Sequence, residues 1–131
     1  MTNQNILHAV LHTLLPQIEA DINEFGFFAA TAGWVKPNLE LEVWPEPKNE
    51  LEDEQLVVRM RKETGQNVHL FGRVATWICY AAVPEGQEED CAIVEIKIVG
   101  EKCRYYYYYP YVIDGENMHW GTPWAEKVAT G

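Results

Sequence analysis

The amino-acid sequence predicts an α+β fold in a single domain, residues 1–131. An antiparallel β-meander of about five to six strands would have an N-terminal amphipathic helix packed on one face. Apolar residues recur every three or four positions near the N-terminus and every second position after residue 26, which indicates a helix followed by strands. The 131 residues are 47% hydrophobic, enough to build a core, so a disordered chain is disfavoured.

The predicted helix begins near Asn3 or Asn5, either of which could cap it, and it ends at Gly26. Its apolar side chains share one stripe, which would face the sheet. The stripe consists of Leu7, Leu11, Leu14, Ile18, Ile22 and Phe25. Pro16 falls inside the pattern. Because proline has no N–H to donate to the carbonyl of His12, we expect a kink or a break at this position.

Beyond the helix, the alternation of apolar and polar residues predicts a series of strands. These lie at residues 27–35, 39–44, 55–62, 67–83, 91–99 and 102–109. The third has a helix-like length, but its β-branched pair Val57-Val58 favours a strand. A hairpin closed by residues 64–66 would join it to the fourth strand, which we expect to bend at Gly72.

The last two predicted strands form the clearest hairpin in the chain. Gly100-Glu101 fits a two-residue turn with glycine first, and this turn pairs Ile96 with Tyr105. Alternation then divides the tyrosine run between two faces. Tyr105, Tyr107 and Tyr109 would face the core, whereas Tyr106 and Tyr108 would face the other way. A slip of one residue would bury the charged side chains of both strands, so the register is well specified.

The remaining elements are placed from this hairpin. If Ala82 pairs with Ala92, the neighbouring strand turns Trp77 to the non-core face. Its core face then holds Thr76, Ile78 and Tyr80. Near the C-terminus, Thr122-Pro123 predicts the start of a helical turn, from which Trp124 would dock on the body of the protein.

The non-core face is the predicted binding surface, because basic and aromatic side chains gather on it. The basic residues are Arg59, Arg61, Arg73, Lys97 and Arg104, and the rings are Phe71, Trp77, Tyr106 and Tyr108. Such a face could stack a planar anionic ligand or single-stranded bases, anchor a protein partner, or join two copies around Ile93 and Tyr108. It could equally be a solvated face whose long basic side chains lie over rings.

The histidines define no catalytic or metal site. His119 is close in sequence to Asp114 and Glu116, and a histidine–carboxylate pair is the minimum for acid–base chemistry, but a solvated or structural histidine is the simpler interpretation. His8 and His12 share a helix face, yet two nitrogens alone do not complete a metal site. We therefore count His119 among the candidate binding residues and predict neither a catalytic residue nor a metal.

Several classes of function are disfavoured by the composition. The chain has no serine, CxxC pair or glycine-rich phosphate loop, so serine hydrolases are excluded, no cofactor is predicted and an enzyme is disfavoured. Its net charge of −10 repels phosphate backbones, which makes nucleic acid an unlikely partner. No apolar stretch approaches the length of a membrane span, so no membrane contact is expected. The 3 cysteines, without close pairs, fit a reducing cytoplasm.

We therefore predict a small, acidic, cytoplasmic binding protein that engages a protein partner, more readily a basic one. Two acidic loops, residues 46–54 and 85–90, would steer the partner, and Tyr106, Tyr108 and Trp77 would anchor it. Small bacterial proteins that neutralise a toxin, and secretion chaperones, share this profile of size and charge, although no motif assigns the chain to either group. The alternative is a binder of a small anionic ligand or of single-stranded nucleic acid on the basic, aromatic face.

Overall fold

The computed structural model describes residues 2–45 and 53–130, and it confirms the α+β class with an antiparallel sheet and an N-terminal helix on one face. The elements in chain order are α1 (Asn3–Phe25), β1 (Thr31–Val35), β2 (Leu41–Val43), α2 (Asp53–Asn67), a 3₁₀ turn (Leu70–Gly72), β3 (Ala75–Ala82), β4 (Cys91–Ile98), β5 (Cys103–Asp114), β6 (Asn117–Trp120) and β7 (Trp124–Ala129). The strand order is β2-β1-β3-β4-β5-β6, and β7 also pairs with β5. Helix α1 covers one face of the sheet, and α2 lies on the other.

Helix α1 buries most of its predicted stripe. The buried side chains are Ile6, Leu7, Val10, Leu14, Ile18 and Ile22. Phe25, which we expected in this stripe, is 60% exposed. The N-cap is Thr2, so the prediction of Asn3 or Asn5 is wrong, whereas the C-cap is Gly26 as predicted. The helix continues unbroken through Pro16, which lies on the exposed side, where water can reach the carbonyl of His12 that loses its partner.

Helix α2 replaces the strand that was predicted at 55–62, and that prediction is wrong. The buried side chains of Leu56, Met60 and Thr64 recur every four residues, which is the spacing of one helix face. Burial of this stripe against β1 and β3 outweighs the preference of β-branched residues for strands, which is weak and depends on context.

The segment that follows α2 also differs from the prediction. The hairpin expected at 64–66 does not form, because these residues belong to α2. Of the strand predicted at 67–83, only Ala75–Ala82 pairs with neighbouring strands. Gly72, where we expected a bend within a strand, ends a 3₁₀ turn and adopts a positive φ of 70°. The helix and the turn use residues that alternation alone had assigned to strands.

The predicted register of β4 with β5 is confirmed wherever the two strands pair. The register of β3 with β4 is one residue away from the prediction, because Ala81 and not Ala82 lies opposite Ala92. Each β3 side chain therefore faces the side opposite to the predicted one. Trp77 lies in the core beneath α1 and is only 1% exposed, so its predicted place on an exposed face is wrong. The apolar pattern could not resolve this slip, since Ile78 is buried under α2 on the other face.

The C-terminal segment forms β7 instead of the predicted helical turn. Both β6 and β7 run antiparallel to β5, with Tyr111 opposite Trp120 and Tyr108 opposite Trp124. Three residues between positions 120 and 124 therefore face two between positions 108 and 111, which is the arrangement of a β-bulge. This bulge allows Trp124 to pack against the strand that carries the tyrosine run.

Two apolar clusters hold the layers together. The larger one lies between α1 and the sheet, and it includes Val10, Trp77 and Tyr105. The smaller one lies between α2 and the strands β1 and β3, and it includes Trp34 and Met60. Neither helix of the described ranges combines the length and the apolar character that a bilayer crossing requires.

Candidate binding surface

Four of the predicted binding residues lie on one face of the sheet around Glu95 of β4, namely Arg61 of α2 and Arg104, Tyr106 and Tyr108 of β5. At their centre lies the side chain of Glu95 on β4, which is fully buried. Arg61 of α2 donates to both carboxylate oxygens of Glu95, from Nε to Oε1 at 2.9 Å and from Nη2 to Oε2 at 2.7 Å. The hydroxyl of Tyr80 donates to Oε2 at 2.6 Å. We call Arg61, Tyr80, Glu95 and Arg104 the Glu95 cluster.

These hydrogen bonds explain how a carboxylate is accommodated inside the protein. The planar guanidinium of Arg61 meets both oxygens in a charge-assisted, bidentate pair. Its hydrogen bond to Glu95 raises the pKa of Arg61. Burial, together with the adjacent Glu95, raises the pKa of Tyr80, so the phenol remains a donor. Arg61 and Tyr80 therefore satisfy the charge and most of the hydrogen-bonding capacity of Glu95 without a further cation.

Arg104 is the second guanidinium of the cluster, and it is poorly partnered. Its Nη1 lies 3.6 Å from Oε1 of Glu95, beyond ordinary hydrogen-bond distance. This nitrogen is buried and has no hydrogen-bond partner among the described residues, while the whole side chain is 14% exposed. Burial lowers the pKa of Arg104, and Glu95 opposes that shift. Within the cluster, two cationic groups thus surround one buried carboxylate, while the exposed Glu126 lies opposite Tyr106 on β7.

Three aromatic rings lie beside the cluster on the same face of the sheet. Tyr106 and Tyr108 alternate along β5, with their ring centroids 6.4 Å apart and their planes 16° from parallel. Trp124 of β7 lies opposite Tyr108, with centroids 4.8 Å apart and planes at 9°. All three side chains are half-buried. We call Tyr106, Tyr108 and Trp124 the ring ladder. Because α2 packs against β1 and β3, the ladder lies on the part of this face beyond the helix.

The ladder combines apolar ring surface with polar tips. The hydroxyl of Tyr108 donates to Oε2 of Glu126 on β7 at 3.3 Å. Burial, and secondarily Glu126, raises the pKa of Tyr108 to about 12. Burial also raises the pKa of Tyr106. Both phenols therefore stay neutral over the physiological range, and the surface has the amphipathic ring character that protein interfaces favour.

Phe71 and Arg73 lie elsewhere, beside β1 and β2. The guanidinium of Arg73 covers the Trp34 ring at 3.7 Å from its centroid, and it donates to both oxygens of Glu42 at 3.1 and 3.2 Å. The hydrogen bond from Arg73 lowers the pKa of the Glu42 carboxyl. Since the Arg73 side chain is 8% exposed, it stabilises the fold and offers little surface to a ligand. Phe71 is 84% exposed on a backbone with a positive φ of 59°, which non-glycine residues rarely adopt.

The other basic and aromatic residues of the predicted face are also dispersed. Arg59 pairs with Glu63 one turn along α2, with Nε 3.2 Å from Oε1. Lys97 donates to the carbonyl of Glu101 in the β4–β5 turn. Trp77 is buried under α1, as described above, and can touch no partner at the surface. The single basic face that the sequence predicted is therefore divided among separate structural contacts.

The histidines are exposed and form no site in the described residues. His119 lies on β6, and neither Asp114 nor Glu116 makes a hydrogen bond or an ion pair with it in the described part of the chain. His8 and His12 lie against each other on the flank of α1, with their ring centroids 3.8 Å apart and their planes tilted by 36°. No group of three or more metal-ligating side chains occurs within residues 2–45 and 53–130.

The acidic loop between β3 and β4 is exposed from Glu85 to Asp90. It is anchored to the strand that carries the ladder, because the carbonyl of Asp90 accepts a hydrogen bond from the N–H of Tyr111 at 3.0 Å. The other predicted acidic loop, 46–54, falls largely outside the described residues.

Sequence reasoning missed Glu95, Tyr80 and Trp124 as members of the site. A signal for Glu95 was present, because the confirmed register places a lone carboxylate of an apolar strand opposite Tyr106. Its partner Arg61 could not be found while residues around it were assigned to a strand. Trp124 was expected to dock on the body, but only the pairing of β7 with β5 shows which ring it meets.

No protein-family model, curated protein or solved structure matches this chain. The Glu95 cluster and the ring ladder are therefore the observations from which function is inferred.

Proposed function

We propose that this protein is a small, acidic interaction protein of the cytoplasm, which binds a protein partner through the ring ladder and is helped by its acidic loops. A toxin-neutralising or chaperone-like role fits this type of protein. The observation that supports it most is the ring ladder itself, in which three aromatic side chains are stacked and half exposed beyond the edge of α2.

The ladder has the properties of a binding anchor. Tyr and Trp are enriched among the residues that dominate the energy of protein interfaces. Tyr106, Tyr108 and Trp124 are fixed by strand pairing and by stacking on each other, so few rotamers remain to be lost on binding. Rings placed this way contribute affinity without first having to be ordered.

The charge of the chain favours a basic partner. The net charge is −10, and the exposed loop from Glu85 to Asp90 concentrates carboxylates next to β5. Such a field accelerates the association of a cationic protein and makes the association rate sensitive to salt. The loop would thus raise the association rate, and the ladder would contribute most of the binding free energy.

A second copy of the chain is one candidate partner. Ile93, which we expected at the centre of a homodimer, is 5% exposed and is already packed inside the protein. A homodimer would instead have to meet at Tyr108 and Trp124, and sedimentation of the purified protein over a range of concentrations measures whether it forms.

The second guanidinium beside Glu95, that of Arg104, favours a second candidate function, the binding of a small anionic ligand. Single-stranded nucleic acid is disfavoured as that ligand, because a chain of net charge −10 repels a polyanion.

The proposal is tested by capture of partners from a lysate on immobilised protein at low and high salt. The wild type should retain one stoichiometric protein, and Tyr106→Ala/Tyr108→Ala should lose it while its circular dichroism stays native. Phe25→Ala is the matched control, because it removes an exposed ring (60%) that lies outside the ladder. Retention of the same partner by the tyrosine double variant would contradict the proposal.

A further inference from the structure

We propose that Arg104 and the adjoining end of the ring ladder form a binding site for an oxyanion carried on a planar group, such as an aryl phosphate or an aryl carboxylate. This site deepens the second candidate function named above, and it shares Tyr106 with the ring ladder, but its anion-binding group belongs to the Glu95 cluster and is present in the isolated chain.

The first argument is the unsatisfied guanidinium. An arginine has five N–H donors, and buried donors in proteins are nearly always paired. Nη1 of Arg104 is buried without a hydrogen-bond partner among the described residues. Arg61, the other arginine of the cluster, directs two of its donors at Glu95. Two arginines at the same carboxylate thus differ in their partners, and Arg104 retains donors for another acceptor.

The second argument is charge. Arg61 alone neutralises Glu95, and Tyr80 adds a third hydrogen bond to that carboxylate. Arg104 is therefore not required to compensate the buried charge. Its guanidinium is held in a desolvated environment, where an oxyanion would gain more from it than from an arginine in water.

The third argument concerns access and shape. The Arg104 side chain is 14% exposed, so the guanidinium is not sealed from solvent. Alternation along β5 puts Tyr106 next to it on the same face, and the β5–β7 register puts Val128, which is 44% exposed, opposite it. A ligand whose oxyanion reaches Arg104 would therefore lay its remaining atoms beside Tyr106, and those atoms must be uncharged because the exposed carboxylate of Glu126 lies opposite this ring on β7. Planar groups stack on such rings, which favours an aryl oxyanion over a bare one.

Titration with phenyl phosphate, followed by tryptophan fluorescence and by heat of binding, tests the site. We expect saturable binding that is tighter than that of inorganic phosphate, which lacks the ring, and of phenol, which lacks the charge. Benzoate in place of phenyl phosphate separates a carboxylate site from a phosphate site. Saturable binding of either aryl anion supports the proposal, and no binding of either at millimolar concentration would overturn it.

Arg104→Met and Arg59→Met form the matched pair of variants for this titration. Arg104→Met should weaken phenyl phosphate binding by about tenfold or more, since one hydrogen bond to a charged group is worth about that factor. Arg59→Met should leave it unchanged, because Arg59 lies on α2 with its own partner Glu63. Equal affinities of the wild type and Arg104→Met would overturn the proposal.

Arg104→Lys keeps the test decisive if the methionine variant fails to fold. Lysine retains the positive charge but lacks the planar fork, so the fold should survive and affinity should still fall. Undiminished binding by a folded Arg104→Lys would count against recognition by the guanidinium.

Discussion

The two faces of strand β5 carry alternating tyrosines of one run, yet they face different environments. On the α1 side, Tyr105 is 8% exposed and lies in an apolar cluster with helix and strand residues. On the α2 side, Tyr106 and Tyr108 are half-buried and adjoin a cluster of buried charges. Burial in the core explains why a ring is present at Tyr105. It does not explain the rings of Tyr106 and Tyr108, which lie next to Arg104, whose buried Nη1 has no hydrogen-bond partner in the described part of the chain.

The difference teaches that a sheet can have helices on both faces without both faces having the same role. The α1 face is closed by aliphatic and aromatic packing, and its residues are explained by burial. The α2 face is closed only over β1 and β3, and beyond the helix it keeps rings and charge near the surface. Function is therefore expected on the part of the molecule where packing leaves polar groups unexplained.

The largest effect is expected from truncation on the α1 face. Trp77→Ala should lower the free energy of unfolding by about 3–5 kcal/mol, because it leaves a cavity at a residue that is 1% exposed. Urea unfolding measures this loss. Phe27→Ala, at a ring that is 64% exposed, should change the stability by no more than about 0.5 kcal/mol. Similar losses for the two variants would show that Trp77 is not part of the core.

The two arginines of the Glu95 cluster should differ from each other. Arg61→Met should destabilise the fold by about 2–3 kcal/mol, less than the loss of a fully buried partner, because the Arg61 side chain is 35% exposed. Arg104→Met should be nearly neutral or slightly stabilising, since the pair of Arg61 with Glu95 remains intact. Thermal unfolding of both variants measures the contrast, and a larger loss for Arg104→Met would reverse the assignment of structural and functional roles.

Titration at alkaline pH should distinguish the causes of the raised tyrosine pKa values on the two faces. Burial alone raises the pKa of Tyr107, whereas burial and Glu126 together raise that of Tyr108 to about 12. Because the folded values exceed the unfolded value of about 10, this contribution to stability is complete below pH of about 10 and is lost as the pH rises towards 12. NMR titration of the rings should show that Glu126→Gln lowers the pKa of Tyr108 and leaves that of Tyr107 in place. Equal responses of the two rings would deny a specific contact with Glu126.

The smallest effect is expected at the surface of α2. Arg59→Met removes a solvent-accessible pair with Glu63, and such pairs contribute about 0.5 kcal/mol or less. Chemical unfolding at low and high salt measures it. A loss of stability as large as that of Arg61→Met would contradict the account, because the larger effect at Arg61 is attributed to its buried partner Glu95.

The sequence predicted those parts of the fold in which local and global signals agree. The α1 stripe was predicted because apolar residues recur every three or four positions. The β4–β5 register was predicted because a turn glycine and strict alternation left one arrangement. Helix α2 was missed because its β-branched residues resemble those of a strand, and only packing against β1 and β3 decides otherwise. Once α2 covers the second face, apolar residues on either side of β3 can be buried, so alternation could not place Trp77.

The candidate site was predicted in part for the same reason. Arg104, Tyr106 and Tyr108 were correctly predicted to share one face, because they occupy alternate positions of β5 and the β4–β5 register was predictable. Arg73 was misplaced because its position depends on the turn after α2. Trp124 needed the pairing of β7 with β5, and the isolated segment offers no strong strand signal.

The central claim, that the alternate tyrosines of β5 serve different purposes, is tested most directly by urea unfolding of two double variants. Tyr105→Ala/Tyr107→Ala should lose several kcal/mol, because Tyr105 is 8% exposed and the partly buried Tyr107 packs against the same apolar cluster. Tyr106→Ala/Tyr108→Ala should lose clearly less and keep a native spectrum. Equal losses, or a larger loss for the second variant, would contradict the account, because the ring ladder would then be part of the core and not a surface kept for contact.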